Sequence, residues 1–194
     1  MSDVPEHDTE QRVQARGGAA YGTVGGDIHV DGRRPAPFAL VSRPVTDADG
    51  AARADLRRGL RHGSRLVALW LHDHDPARVR QEVTALVADA AAGGWTVLDA
   101  VRSDDPAEDP DVGPLHLGEA AGVLVVVDGI HRWPGAVVRR LLSDGVLHHP
   151  DRPARLVLVA RTLDGLPELR GAVANLQVPV LVFGPGGQAP GVTP

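Results

Sequence analysis

The chain has 194 residues, 43% of them hydrophobic and 3% aromatic, and a formal net charge of −5. This length and composition predict one globular domain with a core of aliphatic side chains, and the negative charge argues against a broad nucleic-acid surface, which needs clustered positive charge. The sequence contains no cysteine, which excludes disulfides and thiolate catalysis, and all 20 of its Lys+Arg residues are arginine. We expect a cytoplasmic protein without a membrane partner, because no apolar run approaches the roughly 20 residues of a membrane helix and the N-terminus is acidic and polar.

The two ends of the chain differ in composition from its middle. Residues 1–17 are polar and charged and are predicted to be disordered, as are residues 185–194, which are rich in Gly and Pro. Residues 18–64 are predicted to form a hairpin and linker extension. Within it, the pattern indicates a hairpin at 21–30, a strand at 38–41 and a short helix at 51–62.

From residue 65 to residue 184, apolar runs alternate with segments of helical periodicity. Continuous apolar runs are typical of strands buried on both faces of a sheet, and they predict strands at 66–71, 95–101, 123–127, 155–160 and 179–183. Apolar spacing and start signals predict helices from Asp75-Pro76 to Gly93-Gly94, at 136–142 and at 166–176. The alternation predicts a three-layer α/β sandwich with a mostly parallel five-stranded sheet, whose ligands bind beyond the carboxyl ends of the strands.

Charged side chains follow the predicted strands at that edge of the sheet. They are His72, Asp73, His74 and Asp75 after the first strand, Asp128 and Arg132 after the third, and Arg161 after the fourth.

Three interpretations of these residues remain open. In the first, Asp128 and Asp73 hold Mg²⁺ while Arg132 and Arg161 meet phosphate groups. In the second, histidines and carboxylates form a zinc or manganese site, with His72, His74 and Asp75 as ligands beside Asp73 and Asp128. In the third, the residues are structural, with Asp75 capping a helix, Asp128 ending a strand, and the arginines pairing with nearby carboxylates such as Asp128.

The loop after the first strand lacks the residues of a phosphate-binding loop. Such a loop reads Gly-x-x-x-x-Gly-Lys-Ser/Thr, because glycines let the backbone approach the phosphates, the lysine reaches the β- and γ-phosphates, and the hydroxyl binds Mg²⁺. Residues 72–75 read His-Asp-His-Asp, and the chain has no lysine anywhere. The missing lysine also argues against Schiff-base chemistry.

Four segments resemble the Walker B to sensor-1 half of bacterial STAND/NACHT-type ATPases. They are LVVVDGIHRWP at 124–134, LLSDGVLHHP at 141–150, RLVLVART at 155–162 and LPELRGAVANL at 166–176. The resemblance implies a P-loop NTPase-like fold, with Asp128 at the Walker B position and Arg161 near sensor 1. Gly129 stands where many relatives carry a catalytic glutamate. Residues 21–30 also resemble a short Gly-Asp-Ile-His motif found ahead of such domains in regulatory and defence proteins.

The resemblance, together with the missing phosphate loop, predicts a non-catalytic interaction module in a bacterial signalling, regulatory or defence assembly. Such a module has a protein partner or associates with itself, and it needs no cofactor. One alternative is a nucleotide- or phosphoanion-binding protein with residual Mg-dependent ATPase activity, which would use ATP and Mg²⁺. The other is a metal-dependent hydrolase.

Overall fold

The computed structural model describes residues 38–46, 48, 50–102, 117–174, 176–185 and 187–188. The chain divides into two compact units, Met1–Arg33 and Arg34–Pro194, and every described residue belongs to the second. The predicted hairpin at 21–30, the predicted disordered segment 1–17 and most of the predicted disordered segment 185–194 lie outside the described residues. Within the last of these, Gly187–Gln188 forms a two-residue strand.

Seven strands of the described ranges form one sheet in the order β1-β3-β4-β5-β2-β6-β7. They are β1 (Phe38–Ser42), β2 (Leu66–His72), β3 (Trp95–Arg102), β4 (Gly122–Val127), β5 (Ala154–Ala160), β6 (Val180–Gly184) and β7 (Gly187–Gln188). The five central strands, β2 to β6, are parallel to one another, which confirms the prediction of a mostly parallel sheet. The predicted count of five strands was wrong, because β1 and β7 add an antiparallel strand at each edge.

In the part of the chain that the structure describes, four helices cover the two faces of the sheet. They are α1 (Ala54–Leu60), α2 (Pro76–Ala92), α3 (Gly135–Leu142) and α4 (Leu166–Ala174), and a 3-10 turn covers Ile130–Arg132. Leu56 of α1 and Leu86 of α2 pack with Leu69 in one apolar cluster. Leu141 of α3 and Leu169 of α4 pack with Trp70 in a second cluster. Since neighbouring side chains along a strand point to opposite faces, the helices form one layer on each face.

The first strand and helix belong to these layers rather than to an extension. Phe38 and Leu40 of β1 and Leu56 of α1 are all buried in the two clusters. The sequence assigned residues 18–64 to a hairpin and linker because the strand and helix signals there are short and separated by polar segments. Burial against the sheet stabilises both elements in spite of their length.

The chain path creates a topological switch point between β2 and β5. These two strands are neighbours, but β2 leads into α2 on one face and β5 leads into α4 on the other. In open α/β sheets, ligands bind in the crevice outside the carboxyl ends of the strands at such a point. The candidate site is therefore the set of loops that follow β2, β4, β5 and β6. Among the helices of the described ranges, none is both long and apolar enough to cross a bilayer.

Candidate functional site at the carboxyl edge of the sheet

The loop between β2 and α2 is held by its own carboxylates. Asp75 is the N-cap of α2, and its side chain accepts hydrogen bonds from the backbone N–H groups of Ala77 (2.9 Å) and Arg78 (3.4 Å). Pro76 occupies the first helical position, as the Asp-Pro pair predicted. Asp73 accepts a hydrogen bond from the N–H of Asp75 at 3.0 Å. The helix N-terminus, which in phosphate-binding loops faces the anion, is thus occupied by a side chain of the protein itself.

His72 ends β2 and packs against the end of β6. A Cβ atom built on Gly184 would lie 2.9 Å from Nε2 of His72, so a larger residue there would require the imidazole to shift. Burial lowers the pKa of His72 below its ordinary value, and the nearby Asp73 carboxylate only partly opposes this shift. The fold therefore favours the neutral imidazole.

An arginine that the sequence did not single out connects three elements beside this loop. Arg53 immediately precedes α1, and its guanidinium bonds to both carboxylate oxygens of Asp55 at 3.2 Å. The same group donates to Oε1 of Glu82 in α2 and to the carbonyl oxygen of Gly184, both at 3.0 Å. The Arg-x-Asp spacing hints at the first contact, whereas Glu82 is 29 residues away and Gly184 is 131 residues away along the chain.

Arg78 adds a second set of contacts to the same group. Its Nε lies 3.8 Å from Asp73 and 3.7 Å from Glu82, and its Nη2 donates to the carbonyl oxygen of Pro185 at 2.9 Å. Both arginines beside the loop are thus engaged by carboxylates and backbone oxygens. This leaves less positive charge for a phosphate than the residue types alone suggest.

The turn after β4 carries Asp128 and Arg132, which form no ion pair with each other in the described part of the chain. Asp128 is exposed and follows the six buried residues of β4. Gly129 adopts the left-handed conformation (φ +62°), and a Cβ atom built on it would lie 2.7 Å from Nη2 of Arg132. The carbonyl oxygen of Arg132 accepts a hydrogen bond from Nη1 of Arg102 at 2.9 Å. In the described part of the chain, Asp128 makes no ion pair with Arg132 or Arg161, so the predicted pairing of these arginines with Asp128 was wrong.

The sheet order separates the predicted ligands from one another. β5 lies between β4 and β2, so Asp128 is about 10 Å from the β2 strand at the usual spacing of neighbouring strands. His72 of β2 pairs in register with Ala160 at the end of the neighbouring strand β5, and Arg161 directly follows Ala160. Over the residues that the structure describes, no group of three or more His, Asp or Glu side chains is placed to hold a metal ion. The metal site of His72, His74 and Asp75 stays a prediction.

Neither a protein-family model nor a curated protein matches this chain. The case for its function therefore depends on the geometry of the site and on the residue patterns of the sequence.

Proposed function

We propose that this protein is a non-catalytic module of the P-loop NTPase type, similar to the STAND/NACHT group. It acts by binding a protein partner, or another copy of itself, in a bacterial signalling, regulatory or defence assembly. The observation that carries the proposal is the cap on α2. The Asp75 carboxylate takes the backbone N–H groups of Ala77 and Arg78, the kind of donors that hold phosphate in an active enzyme of this type.

The turn after β4 gives independent support. An active enzyme needs a residue that positions or activates the attacking water near the metal-binding aspartate. The residue after Asp128 is Gly129, and the guanidinium of Arg132 lies over the space where its side chain would begin. The site therefore lacks a group for water activation at this position.

Thermal unfolding with and without millimolar Mg-ATP tests the proposal. A ligand at about 100 times its Kd stabilises a protein by roughly 2.7 kcal/mol, which raises the unfolding temperature of a domain of this size by several degrees. We expect no rise, because the chain supplies neither the lysine nor the open helix N-terminus that would bind the phosphates. Magnesium chloride with sodium sulfate at matched ionic strength is the control.

Two outcomes would contradict the proposal. A rise that disappears in Asp128→Ala would favour the nucleotide-binding protein with Mg-dependent ATPase activity. Stoichiometric zinc or manganese in the purified protein would favour the metal-dependent hydrolase.

Sedimentation velocity across a range of protein concentrations tests the form of the assembly. Self-association predicts a sedimentation coefficient that rises with concentration. A protein that stays monomeric at every concentration would exclude self-association, and the assembly would then require a different protein as partner.

A further inference from the structure

A cavity lies at the opposite edge of the sheet from the candidate site, where the parallel strands begin. It is open to solvent, has a volume of about 380 Å³, and is lined by the end of α1, the α1–β2 connection, the start of β3 and the segment before β5. Its lining includes four arginines, which are Arg61, Arg65, Arg152 and Arg155. The lining residues include one carboxylate, Asp151. This concentration of positive charge stands out on a chain whose net charge is −5.

Arg155 is a buried cation without a counter-ion among the described residues. Only 2% of its surface is exposed, and it lies 5.4 Å from the centre of the Trp95 ring. Its N–H groups donate to the backbone carbonyl oxygens of Gly59, Leu60, His62, Ser64, Arg65 and Ala154. No described carboxylate forms an ion pair with it. Buried charges are normally paired with an opposite charge, and none of the carboxylates in the described ranges supplies it here.

The burial of this guanidinium changes its pKa. Burial lowers the pKa of Arg155 to about 10, and the group is still protonated at neutral pH. The protein therefore keeps a positive charge at the wall of the cavity across the physiological range.

The other arginines keep N–H donors free of carboxylates. Arg65 donates through Nη1 to the carbonyl oxygen of Pro150, and Arg152 donates through Nη2 to that of Gly118. Neither forms an ion pair with a described carboxylate, and Arg61 is exposed at the mouth of the cavity. Since each guanidinium carries five N–H groups, these side chains retain donors for a ligand.

We propose that this cavity binds a small oxyanion with two or more negative charges, of the phosphate-bearing or polycarboxylate class. The planar fork of arginine matches both phosphate and carboxylate oxygens, and the anion would supply the charge that Arg155 lacks. The cavity volume lies within the range of about 300–1,000 Å³ that is usual for small-molecule sites. Anion binding in this cavity would not depend on the function of the loops that follow β2, β4, β5 and β6.

Calorimetric titration of the full-length protein with pyrophosphate and, separately, with citrate tests the proposal. We expect saturable one-to-one binding at low ionic strength that weakens as sodium chloride is added, because salt screens the charges of the exposed arginines. Tighter binding of pyrophosphate would assign the phosphate class, and tighter binding of citrate the carboxylate class. The absence of saturable binding by both anions would overturn the proposal.

A pair of matched double variants shows whether the anion occupies this cavity. Arg61→Gln with Arg152→Gln removes two charges from the lining and should weaken binding by roughly tenfold or more. Arg58→Gln with Arg140→Gln removes two charges from exposed positions outside the lining and should leave the affinity unchanged. Because none of these four side chains is buried, both variants should keep the wild-type unfolding temperature. If Arg152→Gln unfolds the protein, the affinity of Arg65→Gln, which alters the lining, can be compared with that of Arg139→Gln, which lies outside it.

Two further results would contradict the proposal. Equal weakening in both double variants would mean that the anion is attracted only by the overall field. Binding to a short single-stranded oligonucleotide that is much tighter than binding to either small anion would point to a nucleic-acid surface instead.

Discussion

At the scale of single residues, Arg155 is the least predictable feature of the described core. It is the second residue of β5, and both faces of that strand are covered by helices. The alternation of a half-exposed strand, which would identify an outward-pointing arginine, is therefore absent. Arginine is mostly exposed in folded proteins, whereas this side chain donates to backbone carbonyl oxygens between Gly59 and Arg65.

Replacing Arg155 by Met should destabilise the fold by roughly 2–4 kcal/mol. The variant removes the Arg155 donor from six backbone carbonyl oxygens. Those of Gly59 and Arg65 keep a backbone N–H donor, whereas each buried acceptor that is left unsatisfied costs about 1–3 kcal/mol. Water that enters the site and the removal of a buried charge offset part of that cost. The measurement is urea-induced unfolding followed by circular dichroism.

Arg65→Met is the control for that prediction. Arg65 is exposed and donates to a single carbonyl oxygen, so its loss should change the free energy of unfolding by less than about 1 kcal/mol. An Arg155→Met protein as stable as the wild type would show that the carbonyl groups between α1 and β2 do not need this side chain.

At the scale of elements, glycines have different roles in two helices. A Cβ atom on Gly59 of α1 would lie 3.0 Å from Cδ2 of Leu69 and 3.3 Å from Cζ of Phe183. A Cβ atom on Gly171 of α4 would meet nothing within 4 Å. Gly59 therefore allows α1 to approach the sheet closely, whereas Gly171 makes no such contact.

Alanine at these two positions should have opposite effects on stability. Gly171→Ala should stabilise the protein by up to about 1 kcal/mol, since alanine is the better helix former. Gly59→Ala should destabilise it by about 1 kcal/mol, because the added methyl group overpacks the contact with the sheet. Denaturant midpoints of the two variants measure the difference, and equal stabilisation by both would refute the close contact at α1.

The sequence predicted the central elements closely and the edges less well. The predicted strand 66–71 is observed at Leu66–His72 and the predicted strand 123–127 at Gly122–Val127, because apolar runs of this length have few other structures available. The predicted helix 51–62 is shorter, at Ala54–Leu60. β7 has only two residues, Gly187–Gln188, and two residues carry no periodic signal.

The candidate site was predictable only where its contacts are local. The cap by Asp75 follows from an Asp-Pro pair before a helical pattern. The contacts of Arg53 with Glu82 and Gly184 join residues far apart in the chain. They arise only after the sheet brings α1, α2 and the end of β6 together, so no local pattern indicates them.

At the scale of the whole molecule, the described core belongs to one continuous segment of the chain. The second compact unit begins at Arg34 and contains every strand and helix that the structure describes. Its two apolar clusters draw all of their residues from that segment.

A fragment of residues 34–194 should therefore fold alone, with an unfolding temperature within about 3 °C of the full-length value. A fragment of residues 44–194 is the matched comparison. It lacks β1, which pairs with β3 and buries Phe38 and Leu40, so it should unfold about 5 °C lower or more. Differential scanning calorimetry of both fragments measures this, and a 34–194 fragment that fails to fold would show that the core depends on the first unit.

The turn at Gly129 has a consequence for protein engineering. A designer who wants a general base beside Asp128 has an obvious first choice in Gly129→Glu. The left-handed backbone there costs a side-chain-bearing residue roughly 1–2 kcal/mol, and Arg132 fills the space at the same time. New hydrolytic chemistry on this scaffold would thus require a redesigned loop of several residues rather than a point substitution.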